Sequence, residues 1–210
     1  TGTTTINVPV NNSNSVIGSS GTMSLSGGGS CTGGCPGTYT ATGSGLINFS
    51  SGLFVQTGPV TGTGTVNFNG ATVDFGTGST SVSANTVNIT GGIIGGAAPG
   101  VLNFTKLFNW TGGVMCAGVT NGSCLAGANA TTNAEMGINF TNAGPLLAFR
   151  TLNNKGTVTW SGTNGSMNLQ NGGIINNAIG GIWNYANDSS LGFGGGATVA
   201  FNNAGTFEKT

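Results

Sequence analysis

Apolar residues alternate with small polar ones in short bursts along the whole chain. The commonest burst places Asn between two apolar residues: Leu46-Ile47-Asn48-Phe49, Thr65-Val66-Asn67-Phe68, Thr86-Val87-Asn88-Ile89, Leu102-Asn103-Phe104, Ile138-Asn139-Phe140 and Met167-Asn168-Leu169. Alternation is the mark of a strand with one buried face. No stretch carries a helical period, so no long helix is expected. A second phrase, apolar-Asn-Asn-x-Gly-Thr-apolar, joins it in the C-terminal half. Its clearest copies are Leu152-Asn153-Asn154-Lys155-Gly156-Thr157-Val158 and Phe201-Asn202-Asn203-Ala204-Gly205-Thr206-Phe207. Val10-Asn11-Asn12 resembles its opening.

The spacing of these phrases suggests their arrangement. Asn48 to Asn67 is 19 residues, Asn67 to Asn88 is 21 and Asn88 to Asn103 is 15. Asn154 to Asn177 is 23, and Asn177 to Asn203 is 26. A unit of about 20 residues is too short for a propeller blade of about 40–45, but suits one coil of a solenoid. The expected fold is all-β: a single parallel β-helix (β-solenoid) over residues 1–210, with roughly nine or ten coils about 4.8 Å apart. Inward Val, Ile, Leu and Phe would stack into a narrow core. Asn12, Asn48, Asn67, Asn88, Asn103, Asn139, Asn154, Asn168, Asn177 and Asn203 are the candidates for stacked amide ladders at repeated corners. Gly beside them would supply the positive φ of tight turns. Two stretches break the rhythm, near 27–43 and near 112–134, and are expected to protrude as loops, where specific contacts tend to sit.

Composition narrows the chemistry. The chain is 37% hydrophobic but only 4% charged, with no histidine and zero formal net charge, against about 25% charged residues in an ordinary soluble domain. There is no basic patch to neutralise phosphates, which argues against nucleic acid. Histidine-based acid–base chemistry and metal ligation are absent. No apolar run approaches the roughly 18 residues of a membrane span. No cofactor is expected.

Four cysteines form two close pairs, Cys31/Cys35 and Cys116/Cys124, each in Gly-rich text. Local disulfides would place the chain in an oxidising setting, extracellular or on the cell surface. A zinc tetrathiolate is the alternative, although neither pair has the C-x2-C spacing. The chain starts Thr1-Gly2-Thr3, without Met or a signal-peptide pattern, so it reads as a processed product or a piece of something longer.

The ending Phe201-Asn202-Asn203-Ala204-Gly205-Thr206-Phe207-Glu208-Lys209-Thr210 resembles the repeat units of large secreted bacterial β-solenoid surface proteins, of the autotransporter and filamentous-haemagglutinin-like adhesin type. In such arrays similar text is followed by Gly/Thr-rich text like the start of this chain. The resemblance implies a structural, non-enzymatic segment whose partners are other copies of itself, head to tail, in a covalent array or a filament. Thr3, Thr5, Ile6, Val8, Phe201, Phe207, Glu208 and Lys209 are the end-coil residues expected to mediate that assembly. On this reading 201–210 and 1–9 would be two halves of one coil.

Three rivals have sequence support. Polysaccharide cleavage needs paired carboxylates, and only Asp188 and Glu208 lie one coil apart. Ice binding needs ranks of Thr, and Thr1-Gly2-Thr3-Thr4-Thr5, Thr61-Gly62-Thr63-Gly64-Thr65 and Thr157-Val158-Thr159 are candidates. Binding of a cell-surface or matrix polysaccharide would use exposed aromatics, for which Trp110, Trp160, Trp183 and Tyr185 are the candidates and core packing the plainer reading.

Overall fold

The computed structural model describes residues 2–96, 99–120, 122–125, 130–141, 144–163 and 165–210. Four-residue bursts such as Thr65–Phe68 and Thr86–Ile89 are strands whose second and fourth side chains are buried and whose first and third face outward. Each burst buries too little to stand alone, so the strands stack by parallel pairing into three sheets of ten, nine and seven strands. The result is an all-β solenoid of about nine coils, with no helix among the described residues.

The first sheet runs from Thr3–Ile6 to Thr206–Lys209, the second from Ser15–Gly18 to Ala200–Asn203, and the third from Leu53–Val55 to Ser190–Phe193. The chain visits them in the order second, first, third in every full coil. Backbone hydrogen bonds therefore join residues about one coil apart, and in-register pairing turns each sequence position into a rank along the axis.

Two inward ranks of the first sheet form the centre of the core. One carries Val66, Val87, Phe108, Ile138, Val158 and Trp183. The other carries Leu25, Phe49, Phe68, Ile89, Trp110, Phe140, Trp160 and Tyr185. Ring centroids along the second rank are 5.2 Å apart for Phe49–Phe68, 5.0 Å for Phe140–Trp160 and 5.3 Å for Trp160–Tyr185. Those distances are close to the coil spacing, so planar rings fill the core with stacked and tilted contacts.

Three details narrow or overturn the sequence-based expectations. The stretch near 27–43 is mostly coil: Gly29 and Cys35 bridge in parallel to Phe54 and Gln56, and Thr38–Ala41 is a strand of the second sheet. Only the small loop closed by Cys31 and Cys35 stands out from it. The stretch near 112–134 contributes Val114–Cys116 to the third sheet and Ala130–Ala134 to the second, and what lies between carries an antiparallel hairpin, Gly118–Thr120 with Ser123–Leu125. Residues 126–129 of that stretch fall outside the described residues. Finally, Thr3–Ile6 and Thr206–Lys209 belong to the same sheet. The two ends thus duplicate one face and are not complementary halves of a coil, because strands on the third and second sheets separate successive visits to the first.

Candidate functional site

The repeated side chains form three amide ladders. On the outward face of the first sheet, Asn88 Nδ2 donates to Asn67 Oδ1 at 2.8 Å, Asn109 Nδ2 to Asn88 Oδ1 at 2.7 Å and Asn139 Nδ2 to Asn109 Oδ1 at 3.1 Å. On the second sheet, Asn133 donates to Asn103, Asn153 to Asn133, Asn176 to Asn153 and Asn202 to Asn176, all at 2.8–2.9 Å. These residues sit in mid-strand and not at corners. The third ladder is a corner: Asn154 Nδ2 donates to Asn177 Oδ1 at 2.8 Å, and Asn177 Nδ2 to Asn203 Oδ1 at 2.7 Å. There the amides point inward and also hold turn carbonyls, those of Gly156 and Ile182 for Asn154 and that of Thr206 for Asn177.

The Asn-Asn phrase is thus one outward ladder residue followed by one inward corner residue. Asn109, Asn133, Asn153, Asn176 and Asn202 were not among the sequence-predicted ladder members. Asn48 is in register with Asn67, but its amide reaches Ser24 Oγ at 3.4 Å instead. Asn12 is a buried corner residue that donates to the Thr38 carbonyl at 3.1 Å and joins no ladder. Asn168 lies on the third sheet between Leu146 and Gly192 in register, again outside any ladder.

Both cysteine pairs are disulfide-bonded, with Cα–Cα distances of 4.8 Å for Cys31–Cys35 and 5.8 Å for Cys116–Cys124. The second bond pins the hairpin against the outer face of the third sheet. Cys116, Val119 and Ala148 form a small separate core there, joined by Ile93, Val114, Cys124 and Phe149. Gly95 makes room for it, since a Cβ at that position would overlap the Val119 side chain.

Under this hairpin lies Arg150, the chain's only arginine, 1% exposed. Its guanidinium donates to the Cys116 carbonyl at 2.7 Å, the Thr131 carbonyl at 3.0 Å, the Gly96 carbonyl at 3.3 Å and Thr132 Oγ1 at 2.6 Å. The acceptors come from several passes of the chain, so one planar fork ties the hairpin's root to the corner between the third and second sheets. Burial pulls the Arg150 pKa down to about 10, and the charge of Asp74 partly opposes that fall. Phe149, just before it, adopts φ 54°, an uncommon conformation for a bulky residue. Composition marked Arg150 only as one of few charges; its being the lone arginine beside an interrupted rhythm was the available signal.

The remaining candidates fall as follows. Trp110, Trp160 and Trp183 are fully buried and Tyr185 is nearly so, so these aromatics are core residues and offer no sugar-stacking surface. Trp160 stacks on Tyr185, while Trp183 belongs to the neighbouring rank. Glu208 is in register with Asn184, whereas Asp188 sits at the following corner, 3.5 Å from Lys209 Nζ. The two carboxylates are therefore not rank neighbours. The Thr ranks are interrupted: Thr3 and Thr22 are followed by Leu46 before Thr65 and Thr86, and Ile182 separates Thr157 from Thr206. Among the end-coil residues, Ile6 packs against the core, Val8 is 65% exposed, and Phe207 is 52% exposed over Trp183. Thr3 and Thr5 lie on the outer side of the first strand, Phe201 contacts Phe207 edge-on at 5.4 Å, and Lys209 follows Tyr185 in the aromatic rank. No group of three His, Cys, Asp or Glu that could hold a metal ion occurs among the described residues, nor any helix long and apolar enough to cross a membrane. No protein-family model, curated protein or solved structure matches the chain.

Proposed function

We propose that the chain is a structural β-solenoid segment of an extracellular bacterial fibre or surface adhesin, that its coils continue head to tail with those of further copies, and that it carries no enzymatic activity. The continuity of the ladders carries this reading. Asn, aromatic and aliphatic ranks repeat in step along the axis, and such a rod lengthens by adding coils without any change of chemistry. The outermost strands leave ladder groups and inward rings open to another strand: Phe193 is 63% exposed although its rank partner Leu169 is buried. Unpaired strand edges invite pairing with another chain, and a head-to-tail contact that does not close produces a filament. Two disulfides fit an oxidising compartment. A nearly chargeless surface favours association over repulsion.

Electron microscopy of the purified chain tests the assembly. Nine coils at about 4.8 Å give a rod about 45 Å long, and the expected images show strings of such rods joined at their ends. A field of isolated, monodisperse short rods at every concentration would sink the head-to-tail reading.

A further inference from the structure

Away from the first and last coils, the large apolar side chains left exposed among the described residues are Leu53, Leu107, Leu125, Met136 and Ile179. Leu107, Met136 and Ile179 lie on one edge of the rod, the corner where the second sheet passes to the first, and Ile179 is 87% exposed. The same corner holds Lys106, Glu135 and Lys155. Thus three of eight charged residues stand on one edge within three successive coils.

Register orders this ridge. Phe104, Ala134 and Asn154 share a rank, and so do Phe108, Ile138 and Val158. The residues between them therefore align: Thr105, Glu135 and Lys155 in one row, and Lys106, Met136 and Gly156 in the next. Gly156 lies against the Met136 backbone so closely that a Cβ there would collide with it. Along the axis a protruding Met136 is thus followed by a bare glycine, and an acid by a base. Glu135 and Lys155 already touch, at 2.8 Å, with both side chains partly exposed.

This pattern is its own complement when reversed. We propose that the ridge binds the same ridge of a second copy, with the two rods side by side and antiparallel, about a two-fold axis between the coil of Glu135 and the coil of Lys155. Each Glu135 then faces the other copy's Lys155, and the four charges alternate in sign around the axis. Each Met136 enters the space above the other copy's Gly156. One coil further out, Leu107 meets Ile182, and Lys106 lays its methylene stem over Ile179 with its ammonium in water. Such reciprocal contacts define an isologous interface. Four coils span only about 19 Å, so the pair buries less than the roughly 1,200 Å² of a stable complex and associates weakly. This lateral contact is independent of any end-to-end stacking, because all of its residues lie in the middle of the rod.

Charge reversal tests the geometry. Glu135→Lys places lysines opposite Lys155 of the second copy, and Lys155→Glu places acids opposite Glu135. Sedimentation velocity over a concentration series should show reversible self-association of the unaltered chain, lost in each single variant. An equimolar mixture of the two variants should associate again, since every facing pair in the mixed dimer is then of opposite sign. Both substitutions are at partly exposed positions, and circular dichroism checks that each variant retains its sheet signal. A mixture that sediments as two monomers overturns the proposal, as does an unaltered chain whose association matches that of the single variants. End-to-end association is common to all samples and leaves the difference between single and mixed variants intact.

Discussion

Replacing Arg150 by Met keeps an unbranched four-atom stem and removes the guanidinium fork under the hairpin. Four acceptors then lose a donor: the carbonyls of Gly96, Cys116 and Thr131, and Thr132 Oγ1. An orphaned buried acceptor costs about 1–3 kcal/mol, or about 8 kcal/mol for four at mid-range. Against this, the variant no longer buries a cation. The fall of the guanidinium pKa from 12.5 to about 10 corresponds to roughly 3 kcal/mol at about 1.4 kcal/mol per unit. The net expectation is a loss of about 4–5 kcal/mol, within the range for breaking a buried charged network. Arg150→Lys keeps the charge but cannot span four acceptors, so it should be no better than Met. Urea unfolding followed by circular dichroism measures the loss, and hydrogen exchange locates it. The amides of Val114–Cys116 and Gly118–Thr120 should exchange much faster while those of Thr65–Phe68 change little, because coils distant from the hairpin keep their own neighbours. A loss below about 1 kcal/mol, the worth of a single ordinary hydrogen bond, would refute the claim that these four contacts anchor the hairpin.

Two further outcomes follow from the ladders and the core. Asn177→Ala removes the middle amide of the buried corner ladder, with its bonds to Asn154, Asn203 and the Thr206 carbonyl, and should cost about 3–5 kcal/mol at roughly 1–1.5 kcal/mol per lost bond plus the groups left unpaired. Asn203→Ala, on the exposed last coil, should cost no more than about 1 kcal/mol, and equal losses in denaturant melts of the two variants would count against an inward ladder. Burial raises the Tyr39 pKa from 10.0 to about 12, so the unfolded chain ionises first as pH rises. The resulting stability is fully present below pH 10 and is lost as pH climbs toward 12. Tyr185 is raised for the same main reason and adds to the loss, while Arg150, lowered to about 10, opposes it over the same window by shedding an unfavourable buried charge. Tyr39→Phe should therefore flatten the alkaline fall in melting temperature relative to the unaltered chain; parallel falls above pH 10 would be inconsistent with a desolvated phenol.

The solenoid was legible in the sequence because its strands are local: four residues with alternating burial, such as Thr86–Ile89, declare their period without reference to anything distant. The apparent irregularity of the repeats has a simple physical origin. The phrase apolar-Asn-apolar occurs on two different sheets, so Asn88 and Asn103 are successive in sequence but lie on separate ladders. Within the first-sheet ladder, steps are 21, 21 and 30 residues. In the second they are 30, 20, 23 and 26. The value of 30 occurs once in each, wherever the step crosses the chain segment that carries the hairpin. What a single sequence position cannot declare is its face, since an outward Asn such as Asn153 and an inward one such as Asn154 are the same residue type one step apart. Only the neighbouring coil distinguishes them, by offering Asn133 to the first and Ala134 to the second. Arg150 was obscured for the same reason: three of its four acceptors are backbone carbonyls, which every residue possesses and no motif records. In a chain with so few charges, charge placement therefore carries more information than residue count. The buried fork under the hairpin and the alternating row at the corner are two places where charge interrupts the repeat of the rod.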